Sequence, residues 1–444
     1  MSTSQNDVRE IARTAMASAL AKGAREAAAT VDRTRNVSLE WRDGKVEKVN
    51  EATTRRLTLQ LYVDGRYSQV SSSDLRKEAL STFISDSVSM TRVLTEDPFR
   101  SLPDPALYEG RASVDLQLED PAYPSVTPDQ RRQAAQRMEE AARAVRGASS
   151  ILSVSSGFDD TRTESLRVAS NGFEGMRVST VFFVSASVSV KDADGRRPED
   201  YAFGGSRFLG EVPPADEVGR QAAERAISRL GAKKPPSAVM TLVVDNRAAG
   251  RLVGALAGPL SGASLQQKRS FLEGRLGQPV GSPLLDVADD PLIPKAIGSR
   301  LYDAEGLAAR RRPVFEKGAL RSYYIDTYYG KKLKAAPTSG GVSNLDWALG
   351  PKAQAAILKD VGEGILVTAF LGGNSNGTTG DYSFGVQGFR IRGGERAEPV
   401  GEMNIAGNLL EVLKKLTAVG NDPWPYSTMR TPTLVFEGVQ FAGV

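Results

Sequence analysis

The sequence predicts an α+β protein of two domains, with largely antiparallel sheets and flanking helices. Three observations carry this expectation. Two early segments read as hairpins closed by Asp-Gly turns, Asp43-Gly44 and Asp64-Gly65. The run Val184-Ser-Ala186-Ser-Val188-Ser-Val190 alternates strictly, as in a sheet with one wet face. Helices and hairpins follow one another without the strand–helix–strand rhythm of a parallel sheet.

Taken in order, Val8, Ile11, Ala12, Ala15, Ala19 and Leu20 lie near helical spacing and predict an opening amphipathic helix. The first hairpin joins Val37–Trp41 to Lys45–Val49, and the second joins Leu57–Val63 to Arg66–Val70. A helix follows over about Asp74 to Leu94, and a Pro-rich irregular stretch runs from Pro98 to Pro124. Thr127-Pro128-Asp129-Gln130 is a helix start with an N-cap, a proline at the first helical position and a capping-box glutamine. Ala134, Met138, Ala141 and Val145 are its expected apolar face, and Gly147 its end. Strands turn at Asn171-Gly172, and another helix spans about Asp216 to Leu230.

Gly231 to Pro236 reads as a linker, which places one domain over 1–236 and the second over 237–444. The second opens on the apolar strand Ala238–Val244 and continues through a helical stretch into short strands and glycine turns. Its last helix is expected from Asn408 to Gly420, and a final strand from Thr433 to Phe436.

Composition narrows the chemistry. None of the 444 residues is histidine or cysteine, so the chain offers neither imidazole nor thiolate. Those groups supply the near-neutral base and the main zinc, copper and iron ligands. A Ser-His-Asp triad, a Cys-His dyad, a structural zinc site and a disulfide are therefore excluded. The formal charge is +4 without a dense basic block, which argues against nucleic acid as a partner. No stretch approaches the roughly 20 apolar residues of a membrane span. The stretch Met1 to Val31 carries Asp7, Glu10 and Glu26 and lacks a continuous apolar run, which argues against a signal peptide and leaves the cytoplasm as the expected location.

Several patterns invite chemistry. Gly373-Asn374-Ser375-Asn376-Gly377 matches the G-x-S-x-G nucleophile pattern, but no histidine exists to take the serine proton. Its setting among glycines predicts a turn or a ligand-cradling loop. Ser264 and Lys268 would share a face if both were helical, allowing a Ser-Lys dyad; the plainer reading is a solvated helix face. Asp159-Asp160 and Asp289-Asp290 read as solvated turns, with an oxygen-only cation site as the lesser reading. Tyr323-Tyr324 and Tyr328-Tyr329 read as strand packing.

The order and spacing of further motifs resemble the TldD/PmbA family of peptidase subunits over nearly the whole chain, on its PmbA (TldE) branch. The motifs are Leu260-Ser-Gly-Ala-Ser264 with Lys268 and Ser270-Phe271-Leu272, Tyr302-Asp-Ala-Glu-Gly306, Thr379-Gly-Asp-Tyr-Ser383, Ile405-Ala-Gly-Asn-Leu409 and Val419-Gly-Asn-Asp422. Arg42-Asp-Gly-Lys-Val-Glu47 and Val63-Asp-Gly-Arg66 add to them. The resemblance implies a metallopeptidase complex in which a TldD subunit holds zinc through His-Glu-x-x-x-His and a later cysteine. PmbA-type subunits lack the metal and pair with TldD around a shared peptide cleft. Laid on this chain, the motif falls at Asn246, Arg247 and Arg251, with no catalytic residue and no metal ligand among them.

The resemblance thus implies a non-catalytic subunit without a cofactor of its own, with zinc expected only in a TldD-like partner and peptide as the shared substrate. Asn374, Ser375, Asn376, Thr379 and Asp381 are the expected peptide-cleft positions, beside the Asn246–Arg251 segment. Two alternatives stay open: a self-sufficient hydrolase using Ser264 and Lys268, and a regulatory or structural homodimeric binding protein without a peptidase partner.

Overall fold

The computed structural model describes residues 3–444, with side chains from Asp7 onward; Met1 and Ser2, which begin the stretch weighed as a targeting peptide, lie outside the described residues. Helix α1 (Thr3–Ala21) leads into β1 (Glu26–Arg42), β2 (Lys45–Val63) and β3 (Arg66–Ser72), followed by α2 (Lys77–Thr91). Both Asp-Gly turns have the positive φ values that type I′ demands: 46° and 85° at Asp43-Gly44, 50° and 75° at Asp64-Gly65. An irregular stretch reaches α3 (Pro128–Arg143), whose Thr127–Gln130 capping box is formed in both directions. Then come β4 (Ile151–Ala169), β5 (Glu174–Val190), β6 (Glu199–Ser206) and α4 (Ala215–Ile227).

These six strands form one antiparallel sheet in the order β3-β2-β1-β4-β5-β6. The period of 2 decides which face each side chain takes. Val31, Leu57, Leu59, Leu61 and Leu166 lie under α1 and α2, while Phe158, Phe182, Val184 and Ala186 lie under α3 and α4. The opposite face carries Thr30, Thr58, Gln60, Ser165 and Arg167. The apolar stripe of α3 is Ala135, Met138 and Ala142, one position round from the expected Ala134 and Ala141. Met138 belongs to both sets; the stripe turns because Arg131 and Glu139 also face inward to meet partners on the sheet and hairpin.

Past residue 237 the chain adds β7 (Ala238–Val244), α5 (Asn246–Gly254), α6 (Gly262–Gln266), β8 (Val287–Asp289), β9 (Arg312–Glu316), β10 (Ala319–Leu320), α7 (Thr327–Leu333) and β11 (Leu345–Trp347). It ends with α8 (Gln354–Val361), β12 (Gly364–Phe370), β13 (Asn374–Ser375), β14 (Asp381–Arg392), β15 (Glu395–Asn408), α9 (Leu409–Lys414), β16 (Leu416–Val419) and β17 (Leu434–Ala442). Strands β8 to β11 make a small sheet, and the remainder make a seven-stranded sheet. In the latter, β12 pairs with β7 in parallel and with β14 antiparallel, so the sheet closes on itself around Leu242, Ile365, Val386, Ile405 and Phe436. The Gly231–Pro236 segment lies against this sheet, with the Lys233 amide donating to the Pro399 carbonyl (3.3 Å) and the Val444 amide to that of Pro235 (3.1 Å).

Five expectations are corrected. The last helix stops at Lys414 rather than Gly420, because Leu416 and Val419 are buried in β16 against β17, which itself extends to Ala442. Asp160 lies within β4, almost fully buried and paired with Arg131 at 2.5 Å, rather than in a solvated turn. Asp289 ends β8, also buried, and accepts from the Ser343 amide (2.8 Å) and hydroxyl. Lys268 lies beyond α6 at φ +53°, so it does not share a helix face with Ser264, whose hydroxyl instead accepts from Ser261 (3.1 Å). Tyr328 and Tyr329 are on a helix, α7, rather than a strand.

Candidate functional site: a groove beside helix α5

Strand β7 delivers its last residue, Val244, into the core, and the chain turns directly into α5. Asp245 caps the helix by accepting from the Arg247 amide at 3.0 Å. The three motif positions therefore sit in the first two turns at the end of a buried strand, where backbone is held firmly and side chains are aimed by the helix period.

Each of those side chains is already committed. The Asn246 amide donates to the Asp422 carbonyl (2.7 Å), and the Asn246 carbonyl accepts from the Thr431 hydroxyl (2.8 Å). Arg247 donates to the Tyr201 carbonyl (3.0 Å) and lies against the rings of Tyr201, Phe203 and Trp424, at 5.0, 5.8 and 5.5 Å from their centroids. Burial, with repulsion from Arg225, lowers its pKa below the ordinary arginine value, and the aromatic faces offset the desolvation. Arg251 donates to the Gly373 carbonyl (2.9 Å) and lies over Phe384. Zinc asks for three or four imidazole, thiolate or carboxylate donors. Here the donor set is a committed amide and two guanidiniums, and among the described residues no three acidic side chains gather as a metal would require. The residues present do not fit the ion.

The structure brings the glycine loop to this helix. Arg251, Gly254, Pro259, Ser375, Gly377 and Phe384 line an open groove of about 440 Å³. Ser375 lies on β13 opposite Tyr382, so the G-x-S-x-G pattern is an antiparallel edge strand and not a strand-to-helix elbow. Gly373 is required: its φ is +88°, and a Cβ there would meet the Ser383 carbonyl oxygen at 2.1 Å. Asn376 Oδ1 accepts from the Thr378 amide (2.9 Å), and the Asp381 carboxylate accepts from the Thr379 hydroxyl (2.6 Å) and the Asn408 amide (3.1 Å). Those two bonds hold Asp381 below the usual carboxylate range. Asn374, Ser375, Asn376, Thr379 and Asp381 are all exposed, and only Ser375 of the five lines the groove itself.

Backbone direction matters more than these side chains. The Asn376 amide donates to the Asp381 carbonyl (2.7 Å), so it points at β14. Alternation along an antiparallel ladder then turns the Ser375 N–H and C=O away from β14. Among the described residues β13 pairs with β14 alone, so its other edge is left without a strand.

Tyr201, Phe203 and Trp424, which box Arg247, are not apparent as a site in the sequence. Tyr201 and Phe203 are two apart on β6 and so share a face, but Trp424 arrives from a loop more than 200 residues away. The one local signal is the i, i+2 aromatic pair.

This geometry defines an α+β protein with two helix-covered sheet systems and an open groove beside helix α5. The sequence matches three successive domains of one family: PmbA/TldA metallopeptidase domain 1 over residues 27–91, the central domain over 121–230 and the C-terminal domain over 237–443. The chain belongs to the TldD/PmbA metallopeptidase family. It is 29% identical to metalloprotease PmbA of Escherichia coli O157:H7 over 93% of this chain and 91% of that one. It is 28% identical to the PmbA homologue of Haemophilus influenzae, over 95% and 93%. A crystal structure from Bacteroides thetaiotaomicron, described as a proposed modulator of DNA gyrase, superposes with a TM-score of 0.95 at 39% identity, covering 98% and 99%. TldE from Thermococcus kodakarensis shares the fold, with a TM-score of 0.85 at 18% identity, covering 98% and 100%.

Proposed function

We propose that this chain is a non-catalytic, TldE-like subunit that pairs with a TldD-like zinc peptidase in the cytoplasm and forms one wall of a cleft for extended or unfolded peptides. The observation that carries this reading is the donor set on α5, where the family's metal motif has become Asn246, Arg247 and Arg251, each tied to a neighbour. A cation at Arg247 opposes the charge pattern a zinc-bound hydroxide needs. Zinc is then a cofactor of the partner alone.

The test is an assay of unfolded-peptide cleavage with added Zn²⁺. The purified chain is expected to leave the peptide intact, and chelator-sensitive cleavage appears when the TldD-like subunit is added, with both chains co-eluting on size exclusion. Cleavage by the isolated chain, or stoichiometric zinc held by it, overturns the reading.

The outward backbone groups of Ser375 support peptide capture by strand addition, which tolerates many sequences because it uses main-chain hydrogen bonds. Ser375→Pro removes an N–H that β14 does not use. It is expected to weaken peptide binding by the assembled pair about tenfold, the scale of one lost hydrogen bond at the upper end of about 1.5 kcal/mol. Ser375→Ala leaves binding unchanged. Fluorescence anisotropy with a labelled peptide reads both; equal losses in the two variants would refute backbone recognition.

A further inference from the structure

The polar face of the six-stranded sheet holds a second concavity, which shares no lining residue with the α5 groove. It encloses about 430 Å³ between the strands and the segment from Arg300 to Ala304. Three guanidiniums line it: Arg167 on β4, Arg177 on β5 and Arg300 from the covering segment. The register explains the first two. Arg177 stands directly opposite Ser165, and Arg167 is two residues from Ser165, so both project from the same face.

These cations lack carboxylate partners at contact distance. Arg167, only 7% exposed, donates to the neutral acceptors Gln60 (2.9 Å) and Thr30 (3.4 Å). Arg300 donates to the carbonyls of Gly341 (2.6 Å) and Val342 (3.3 Å) and to the Ser339 hydroxyl (3.3 Å). The Arg177 side chain is exposed and forms no hydrogen bond or ion pair among the described residues. The Nε atoms of Arg167 and Arg300 are buried without partners. Behind them Arg207 is pushed down to about 10 by burial and by repulsion from Arg177. The one acid lining the cavity is Asp303, whose Oδ1 is taken by the amides of Glu305 (2.9 Å) and Leu307 (3.0 Å), while its Oδ2 is buried without a hydrogen-bond partner and its charge partly offsets that of Arg300. In the adjoining groove Glu119 is paired with Arg162 (2.8 Å), and Asp115 accepts from the Gln117 amide (2.8 Å).

Gathering three like charges at one concavity, with Arg167 buried, Arg300 half-buried and Arg177 exposed at its mouth, is costly unless an anion joins them, and the planar fork of arginine matches a carboxylate or phosphate. We propose that this cavity is an oxyanion-binding site, with Arg177 and Arg300 gripping the ligand and Arg167 supplying charge from beneath. Gln60, Gln69 and Thr58 offer neutral polar groups around it. The shared ligand chemistry is a carboxylate, such as the acid end of a peptide, or a phosphoryl group. The site is independent of the pairing with a peptidase subunit.

The test uses the full chain alone. Calorimetric titration with inorganic phosphate at constant ionic strength is expected to show saturable binding. Arg177→Gln, which has no internal partner to lose, should weaken it about tenfold, as expected for one charge-assisted contact. Arg300→Gln should weaken it similarly, while Arg321→Gln, on a distant surface pair with Glu316, leaves it unchanged. A peptide with a free terminal carboxylate that displaces phosphate, when its amidated form does not, identifies a peptide acid as the ligand. Phosphate binding that neither peptide displaces identifies a phosphoryl ligand. Absence of saturable phosphate binding, or binding indifferent to Arg177→Gln and Arg300→Gln, overturns the proposal.

Discussion

Arg131→Ala is expected to destabilise the N-terminal sheet by about 3–5 kcal/mol, the cost of leaving one member of a buried ion pair alone. Arg131 and Asp160 side chains are 3% and 0% exposed and meet at 2.5 Å across the α3–β4 interface. The next cation, Arg35, is 4.0 Å from Asp160 and itself shared with Glu51, so it cannot take over the neutralisation at hydrogen-bond distance. Removing both charges is a different experiment: Arg131→Met with Asp160→Leu replaces the pair by apolar volume and is expected to be far less damaging than the single change. Urea denaturation of the three proteins measures both effects. A single variant within about 1 kcal/mol of the parent, the scale of an exposed pair, would show that the interaction is solvent-screened.

Gly219→Ala is expected to destabilise by about 1–3 kcal/mol, although helix propensity alone favours alanine by about 1 kcal/mol. The contact decides the sign. A Cβ at Gly219 on α4 would meet the Met138 carbonyl oxygen of α3 at 2.0 Å, with the Met138 carbon at 2.7 Å. These are backbone atoms, so no rotamer change relieves the overlap and the two helices must separate. Gly250→Ala on α5 is the counter-case. There the nearest atoms are at 3.8 and 3.9 Å, ordinary contact, and the substitution is expected to stabilise by about 0.5–1 kcal/mol. Thermal unfolding of the two variants should move in opposite directions. A stabilised Gly219→Ala would mean that α3 and α4 do not pack this closely.

Much of the architecture is legible in the sequence because local chemistry specifies it. The Asp-Gly turns and the Thr127 capping box depend on a few adjacent residues, so the backbone they select is written into those residues alone. The strict alternation from Val184 to Val190 likewise states which side of a strand is buried. Boundaries are harder to read where two local signals compete. Asn408 caps a helix as expected, but burial of Leu416 and Val419 against β17 ends it at Lys414, and that contact comes from the far end of the chain. The buried acids escape a local reading for the same reason. Asp160 looks solvated beside Asp159 until Arg131, nearly 30 residues earlier, is folded over it.

By itself the sequence determined which groups are missing: it has neither imidazole nor thiol, so no register of the motif across Asn246, Arg247 and Arg251 supplies a histidine. It also determined the α+β class, because turn dihedrals and strand periodicity act over a few residues. Only the tertiary structure decided where the remaining polar groups meet. Arg251 reaches the loop at Gly373 across 122 residues, and Arg300 closes over strands that carry Arg167 and Arg177. Side-chain charge is written in the sequence, but desolvation and proximity arise only when distant segments pack together, and those two quantities turn a charged residue into a site.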